Sequence, residues 1–221
     1  MNIEQARFNM IEQQIRPWDV LDPSVLELLA RVRREDFVPS AYQALAFVDT
    51  EVPLPTSTGP TQSMLEPRVE ARLLQELAVH KHERVLEIGA GSGYMAALLA
   101  HRAQHVTTLE IDPELARMAT TNLRRAGVMN ATVQQADGSR ALPAEGPFDV
   151  ILLSGSVAEV PQTLLAELKV GGRLAAIVGH APVMRATLVT RSSANGYASV
   201  ELFDTLAPRL RGFPEPARFS F

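Results

Sequence analysis

The sequence contains no cysteine. That excludes disulfides, thiolate nucleophiles and cysteine-held metals, and it suits a reducing cytoplasm. No apolar run approaches the about 20 residues of a membrane span. The opening Met1-Asn2-Ile3-Glu4-Gln5 is not the basic-then-apolar start of a signal peptide. There is no internal repeat and no low-complexity tract. No sign of charge dominates: the formal net charge is −4 and the pI is near 5.8, so neither nucleic acid nor an anionic membrane is an expected partner. No oligomeric state follows from these numbers. The five histidines have no carboxylates spaced to complete a metal set, so no metal is expected. What is present is 46% apolar residues, sufficient for a sizeable core in 221 residues.

Along the chain the period changes. Ile3, Phe8, Ile11 and Ile15 fall on one helical stripe that Pro17 ends, and Asp22-Pro23 reads as an N-cap followed by proline at the first helical position. That helix carries Val25, Leu26, Leu29 and Val32, and Phe37-Val38-Pro39 closes it. Residues 48–67 are rich in proline, threonine, serine and glycine and predict an ordered loop or extended segment. A loop of this length in a compact domain is usually functional or disordered. Pro67 then starts a helix with Val69, Leu73, Leu74 and Leu77 on its inner face.

From Arg84 strands and helices alternate. Strands are expected at 84–88, 106–110, 131–135, 148–153, 173–178, 186–191 and 197–203, and Asn195-Gly196 is a hairpin turn signal. Asp112-Pro113 caps a helix that stops at Gly127, and residues 161–168 predict another helix. The expected fold class is α/β: a doubly wound, mostly parallel sheet finished by an antiparallel hairpin, with an N-terminal helical segment. Three parts follow: a helical cap and substrate loop (1–67), a central domain (68–207) and an extended tail (208–221) in which Phe213, Phe219 and Phe221 are available to pack.

The chemistry concentrates in Gly89-Ala90-Gly91-Ser92-Gly93, between the first strand and its helix. Glycines there let the backbone approach a ligand, and the helix start offers unpaired N–H groups. The nicotinamide fingerprint is Gly-x-Gly-x-x-Gly. Here the turn is one residue shorter, and Glu87 lies inside the preceding strand. Glu110 ends the second strand, nineteen positions after Gly91. A carboxylate there accepts hydrogen bonds from both ribose hydroxyls; its simpler role is to cap the turn. Asp137-Gly138 follows the third strand, where an adenine would lie. Asp137 is an acceptor for the adenine amino group or an ordinary turn residue.

The stretch Val85-Leu86-Glu87-Ile88-Gly89-Ala90-Gly91-Ser92-Gly93-Tyr94 resembles motif I of class I S-adenosylmethionine-dependent methyltransferases. More narrowly, the chain resembles the protein-L-isoaspartate O-methyltransferase family over nearly its whole length. Arg34-Glu35-Asp36-Phe37-Val38-Pro39, Gly146-Pro147-Phe148-Asp149-Val150-Ile151 and Leu168-Lys169-Val170-Gly171-Gly172-Arg173-Leu174 carry the rest of the likeness. The resemblance implies a Rossmann-like methyltransferase whose cofactor, S-adenosylmethionine, is held by Glu87, Gly89, Ala90, Gly91, Gly93, Glu110, Ile111, Asp137 and Gly138. It implies repair of damaged proteins or peptides by methyl-esterifying L-isoaspartyl carboxylates, in the cytoplasm.

The chain departs from the family at one telling place. The family's loop carries Thr-Ile-Ser-x-Pro, and its serine is the assigned active-site residue. Here the loop reads Ser63-Met64-Leu65-Glu66-Pro67, with Leu65 at the serine's position and Ser63 two residues before it. The family's tryptophan-containing segment after Asp-Gly is replaced by Ser139-Arg140-Ala141-Leu142-Pro143, and its threonine-alanine run by Ser154-Gly155-Ser156-Val157-Ala158. Ser63, Thr61 and Ser139 are candidates to supply the missing hydroxyl. Two other readings stand beside isoaspartyl methylation: another acceptor on the same fold, and a protein that binds S-adenosylmethionine without catalysis.

Overall fold

The computed structural model describes residues 2–57 and 59–215. Seven strands form one sheet: β3 (Arg84–Ile88), β4 (His105–Glu110), β5 (Ala131–Gln135), β6 (Phe148–Val157), β7 (Leu168–His180), β8 (Val183–Arg191) and β9 (Tyr197–Thr205). Their spatial order is β5-β4-β3-β6-β7-β8-β9. The first five in that order run parallel, and β8 and β9 are antiparallel additions at the edge. Strand order reverses between β4 and β6, on either side of β3. In a doubly wound sheet that reversal opens a crevice at the strands' carboxyl ends.

Strand β6 shows why the sheet is buried on both faces. Val150 and Leu152 join one apolar cluster, with helices α2 (Pro23–Arg31), α3 (Pro67–Leu77), α4 (Tyr94–Arg102) and α5 (Pro113–Arg125). Ile151 and Leu153 join the other, with Leu164 and Leu165 of α6 (Gln162–Ala166). Side chains alternate faces with period 2, so a strand covered on both sides must be apolar throughout. The two aspartate caps form as expected. Asp22 accepts from the Ser24 N–H at 2.8 Å, and Asp112 from the Glu114 N–H at 2.9 Å.

Several expectations need correction. Helix α1 covers only Ile3–Met10 and passes into a π-helical turn over Ile11–Ile15. The wider turn shifts the phase of the apolar stripe. Met10, Ile11 and Ile15 are buried, whereas Ile3 and Phe8 are exposed. Residues 48–67 contain a short antiparallel hairpin, β1 (Val52–Leu54) with β2 (Gln62–Met64). Strand β6 runs four residues past its expected end, because Ser156 and Val157 continue to pair with Ile177 and Val178 beyond a register shift. Strand β7 begins five residues early, at Leu168, which shortens α6.

The tail is not merely extended. It runs beside β6: the Ser156 N–H donates to the Pro208 carbonyl at 2.8 Å, and the Leu210 N–H donates to the Ser156 carbonyl at 2.9 Å. Leu210 and Phe213 are buried in the second cluster. Phe219 and Phe221 lie outside the described residues.

Candidate active site

Gly89, Gly91 and Gly93 all adopt positive φ (95°, 52° and 85°), which fixes the turn after β3. At Gly91 the requirement is double. A Cβ would meet Leu54 Cδ1 at 3.1 Å, and the φ itself strains any other residue. The Gly91 N–H donates to Glu110 Oε2 at 2.9 Å, and the Asp112 N–H donates to Glu110 Oε1 at 3.0 Å. Burial raises the Glu110 carboxyl above its ordinary range, opposed by these two backbone N–H groups. Each oxygen keeps a lone pair for a hydroxyl. The capping role and the ligand role foreseen for Glu110 are therefore compatible.

Glu110 stands in a cleft at the carboxyl ends of β3, β4 and β6. Ile111, Ala136, Gly138, Leu54 and Leu210 line it as well. This combines a carboxylate for a ribose with an apolar slot for a flat ring. The Asp137 carboxylate is turned into its own loop instead. Its Oδ1 accepts from the Ser139 N–H at 3.0 Å and the Ser139 hydroxyl at 2.6 Å, and Arg140 lies 3.4 Å from Oδ2. Its neighbours Ala136 and Gly138 face the cleft.

A second cavity lies beside the glycine turn and shares Leu54, Ser63, Gly89, Gly91 and Ser154 with the first. Glu87 forms its floor. Glu87 Oε1 accepts from the Ser154 hydroxyl and Oε2 from the Thr108 hydroxyl, each at 2.7 Å. Burial pushes this carboxyl up to about 7, with the two hydroxyls opposing. Leu65 and Glu70 form another wall. Arg34 fixes both: Nη2 donates to the Leu65 carbonyl at 2.8 Å, and Nε donates to Glu70 Oε2 at 3.3 Å. Burial pushes Glu70 up to about 7, with Arg34 opposing. Ser63, half-buried, lies where the two cavities meet. Its hydroxyl faces Glu51, whose carboxyl burial raises.

Two parts of the site escape a reading of motifs. The roof is one: Asp112 accepts from the Ser57 N–H at 3.0 Å and the Ser57 hydroxyl at 2.9 Å, and from Arg211 at 3.3 Å. Nothing local in the sequence brings Ser57 and Arg211 together. Glu70 is the other, and it did leave a signal. It sits three, four and seven residues before Leu73, Leu74 and Leu77, so an acid occupies the apolar stripe of α3. Among the described residues no group of three or more histidines and carboxylates is arranged to hold a metal ion.

A mostly parallel sheet of this order, with a glycine turn and a carboxylate ending the next strand, defines the class I methyltransferase fold. A solved protein-L-isoaspartate O-methyltransferase superposes over 93% of this chain with a TM-score of 0.80 at 23% identity, and the chain spans 66% of that protein's length. A Plasmodium falciparum protein assigned to the same methyltransferases, solved with S-adenosyl-L-homocysteine, superposes over 93% of this chain and 98% of its own, with a TM-score of 0.74 at 21% identity. These likenesses concern the fold. Protein-L-isoaspartate O-methyltransferase 1 of Syntrophobacter fumaroxidans is 38% identical over 189 residues, 86% of each chain. The model of the protein-L-isoaspartate(D-aspartate) O-methyltransferase family matches residues 5–204, and the chain belongs to that family.

Proposed function

We propose that the protein transfers the methyl group of S-adenosylmethionine to the free α-carboxylate of L-isoaspartyl residues in damaged proteins or peptides. The observation that carries the reading is the Gly89–Gly93 turn tied to Glu110 in a chain matched to the family over residues 5–204. The bound donor supplies a sulfonium methyl, so that a C–S bond breaks as an O–C bond forms, leaving S-adenosylhomocysteine and a methyl ester.

This chain's residues have little proton chemistry to do. An acceptor carboxylate with a pKa near 4 is already ionised at neutral pH. Their work is to align and desolvate. Holding reactants in line supplies roughly 7–11 kcal/mol, against about 1.5–3 kcal/mol for one hydrogen bond to a charged group. Loss of the family's hydroxyl at Leu65 is therefore a reduction rather than an abolition. We assign the orienting hydroxyl to Ser63, at the junction of the two cavities. Glu110, Ile111 and Gly138 would hold the nucleoside and Glu87 the amino-acid end, with Gly89, Ala90, Gly91 and Gly93 letting the backbone approach the donor. Asp137 supports the adenine through the shape of its loop. In this reading residues 1–67 form the cap and substrate loop, 68–207 the donor-binding domain and 208–221 the closing tail. No helix among the described residues is long and apolar enough to cross a membrane; together with the absence of cysteine this supports work in the cytoplasm.

The test is incubation with labelled S-adenosylmethionine and an isoaspartyl peptide beside its aspartyl twin. A base-labile methyl ester on the isoaspartyl peptide alone is expected. No ester at high enzyme concentration overturns the acceptor assignment.

A further inference from the structure

We propose that Glu70 is a second anionic contact for the amino-acid end of the methyl donor, joining Glu87 to hold its α-ammonium group. The proposal rests on the donor half of the reading above. It adds a positioning residue from α3, outside the glycine motif.

The two ends of the cleft differ in chemistry. The nucleoside end has one carboxylate, Glu110, beside apolar walls. The other end is lined by two carboxylates, Glu87 and Glu70, and by the first residues of α4. A methionine tail carries a carboxylate and an ammonium. Backbone N–H groups at the start of nine-residue α4 suit the carboxylate. Carboxylates suit the ammonium best, because a hydrogen bond between opposite charges is stronger than a neutral one.

Glu70 is 4% exposed. Its Oε2 accepts from Arg34, and its Oε1 accepts from no described residue. Glu70 lines the cavity, so its unused acceptor capacity is available to a donor brought by a ligand. Glu87 is close enough to feel the charge of Glu70. Its own oxygens already hold Thr108 and Ser154, with a lone pair left on each. An ammonium has three donors and meets both carboxylates.

The plainer role for Glu70 is to neutralise Arg34. That role uses Oε2 and leaves Oε1 free to accept from a ligand in the cavity that Glu70 lines. The charges of Arg34 and Glu87 act on or feel that of Glu70, and the neighbouring Tyr94 feels Glu70, Arg34, Glu35 and Arg7. Among the described residues, Arg34 is the cation that forms an ion pair with Glu70. Its guanidinium is also engaged by the Ala46 and Leu65 carbonyls, which keeps it from serving a ligand.

The decisive measurement compares two ligands by calorimetry, S-adenosylhomocysteine and 5′-methylthioadenosine, which lacks the amino-acid end. In Glu70→Gln, S-adenosylhomocysteine is expected to bind roughly tenfold or more weakly, the size of one hydrogen bond to a charged group. 5′-Methylthioadenosine is expected to bind as it does to the wild type, which also reports an intact fold. Equal losses for both ligands, or none for either, overturn the proposal. Should the amide variant not fold, Glu70→Asp keeps the charge beside Arg34 and withdraws it by one methylene. A smaller loss confined to S-adenosylhomocysteine is then expected, and its absence overturns the proposal. No methyl acceptor enters the measurement, so the result is independent of whether isoaspartyl peptides are esterified. Wild-type protein that binds neither ligand overturns the donor reading and this proposal together.

Discussion

The two walls of the cleft are made in different ways. The glycine-turn wall comes from one continuous run, Glu87 to Asp112, and its parts bond to one another: Gly91 to Glu110, and Asp112 to Glu110. The facing wall is assembled from fragments far apart in the chain: Arg34, Leu54, Ser63, Leu65, Glu70 and Leu210. The first wall is held by backbone geometry. The second is held by a buried cation and long-range contacts. A contiguous wall is robust and readable. An assembled wall depends on contacts between distant parts of the chain.

The comparison is broken most severely at Gly91. Gly91→Val puts a branched side chain where a single Cβ would already meet Leu54 at 3.1 Å, on a backbone of positive φ. Binding of S-adenosylhomocysteine is expected to fall below detection by calorimetry, while circular dichroism shows a retained fold. Unchanged affinity would refute the placement of the turn.

On the assembled wall, Arg34→Met leaves Glu70 buried without its cation. A broken buried pair costs about 3–5 kcal/mol, so a large drop in the urea midpoint is expected. The double variant Arg34→Met with Glu70→Met should recover much of it. If the single change is neutral, the wall does not depend on this pair.

Acidity tests both walls at once. The Glu87 and Glu70 carboxyls are raised from 4.5 to about 7 when folded. Between about pH 4.5 and 7 they hold their protons in the fold while the unfolded chain has ionised. The stability they confer is complete below about pH 4.5 and is lost as pH rises through about 7, at about 1.4 kcal/mol per pH unit for each group. The lowered carboxyls of Asp22, Glu83 and Asp149 act in the opposite sense, their contribution being lost as pH falls through more acidic values. Urea unfolding without ligand at several pH values should show the decline, and Glu87→Gln should flatten it. A slope unaltered in that variant would contradict the burial argument.

The smallest expected effect is a gain. Leu65→Ser restores a hydroxyl to the family's position, and a hydrogen bond to a charged acceptor is worth about 1.5–3 kcal/mol. kcat for an isoaspartyl peptide should rise, with donor affinity unchanged. A fall in kcat would mean that the facing wall has been rebuilt around Leu65.

The same contrast explains what could be read in the sequence. Strands β3 to β9 were legible because apolar runs, glycines and Asp-Pro caps are local signals. So was the glycine-turn wall, apart from the inward-turned Asp137 carboxylate. The hairpin of β1 and β2 was not, because its three-residue strands are too short to show a period and are set by pairing across a seven-residue loop. The π-helical turn at Ile11–Ile15 hid the true phase of the first helix. Glu70 was written on the apolar face of α3, where its meaning depends on Arg34, thirty-six residues earlier. The roof was invisible because it depends on pairing between distant ends of the chain.

That roof has a consequence for how the molecule comes into being. Asp112 takes Ser57 from fifty-five residues upstream and Arg211 from ninety-nine residues downstream. Contacts of such separation form late, after the sheet that brings their ends together. A chain emerging from the ribosome completes its glycine turn long before Arg211 exists. The turn and its roof are thus made at different times, and the cleft stays open on that side until residue 211 has joined the chain.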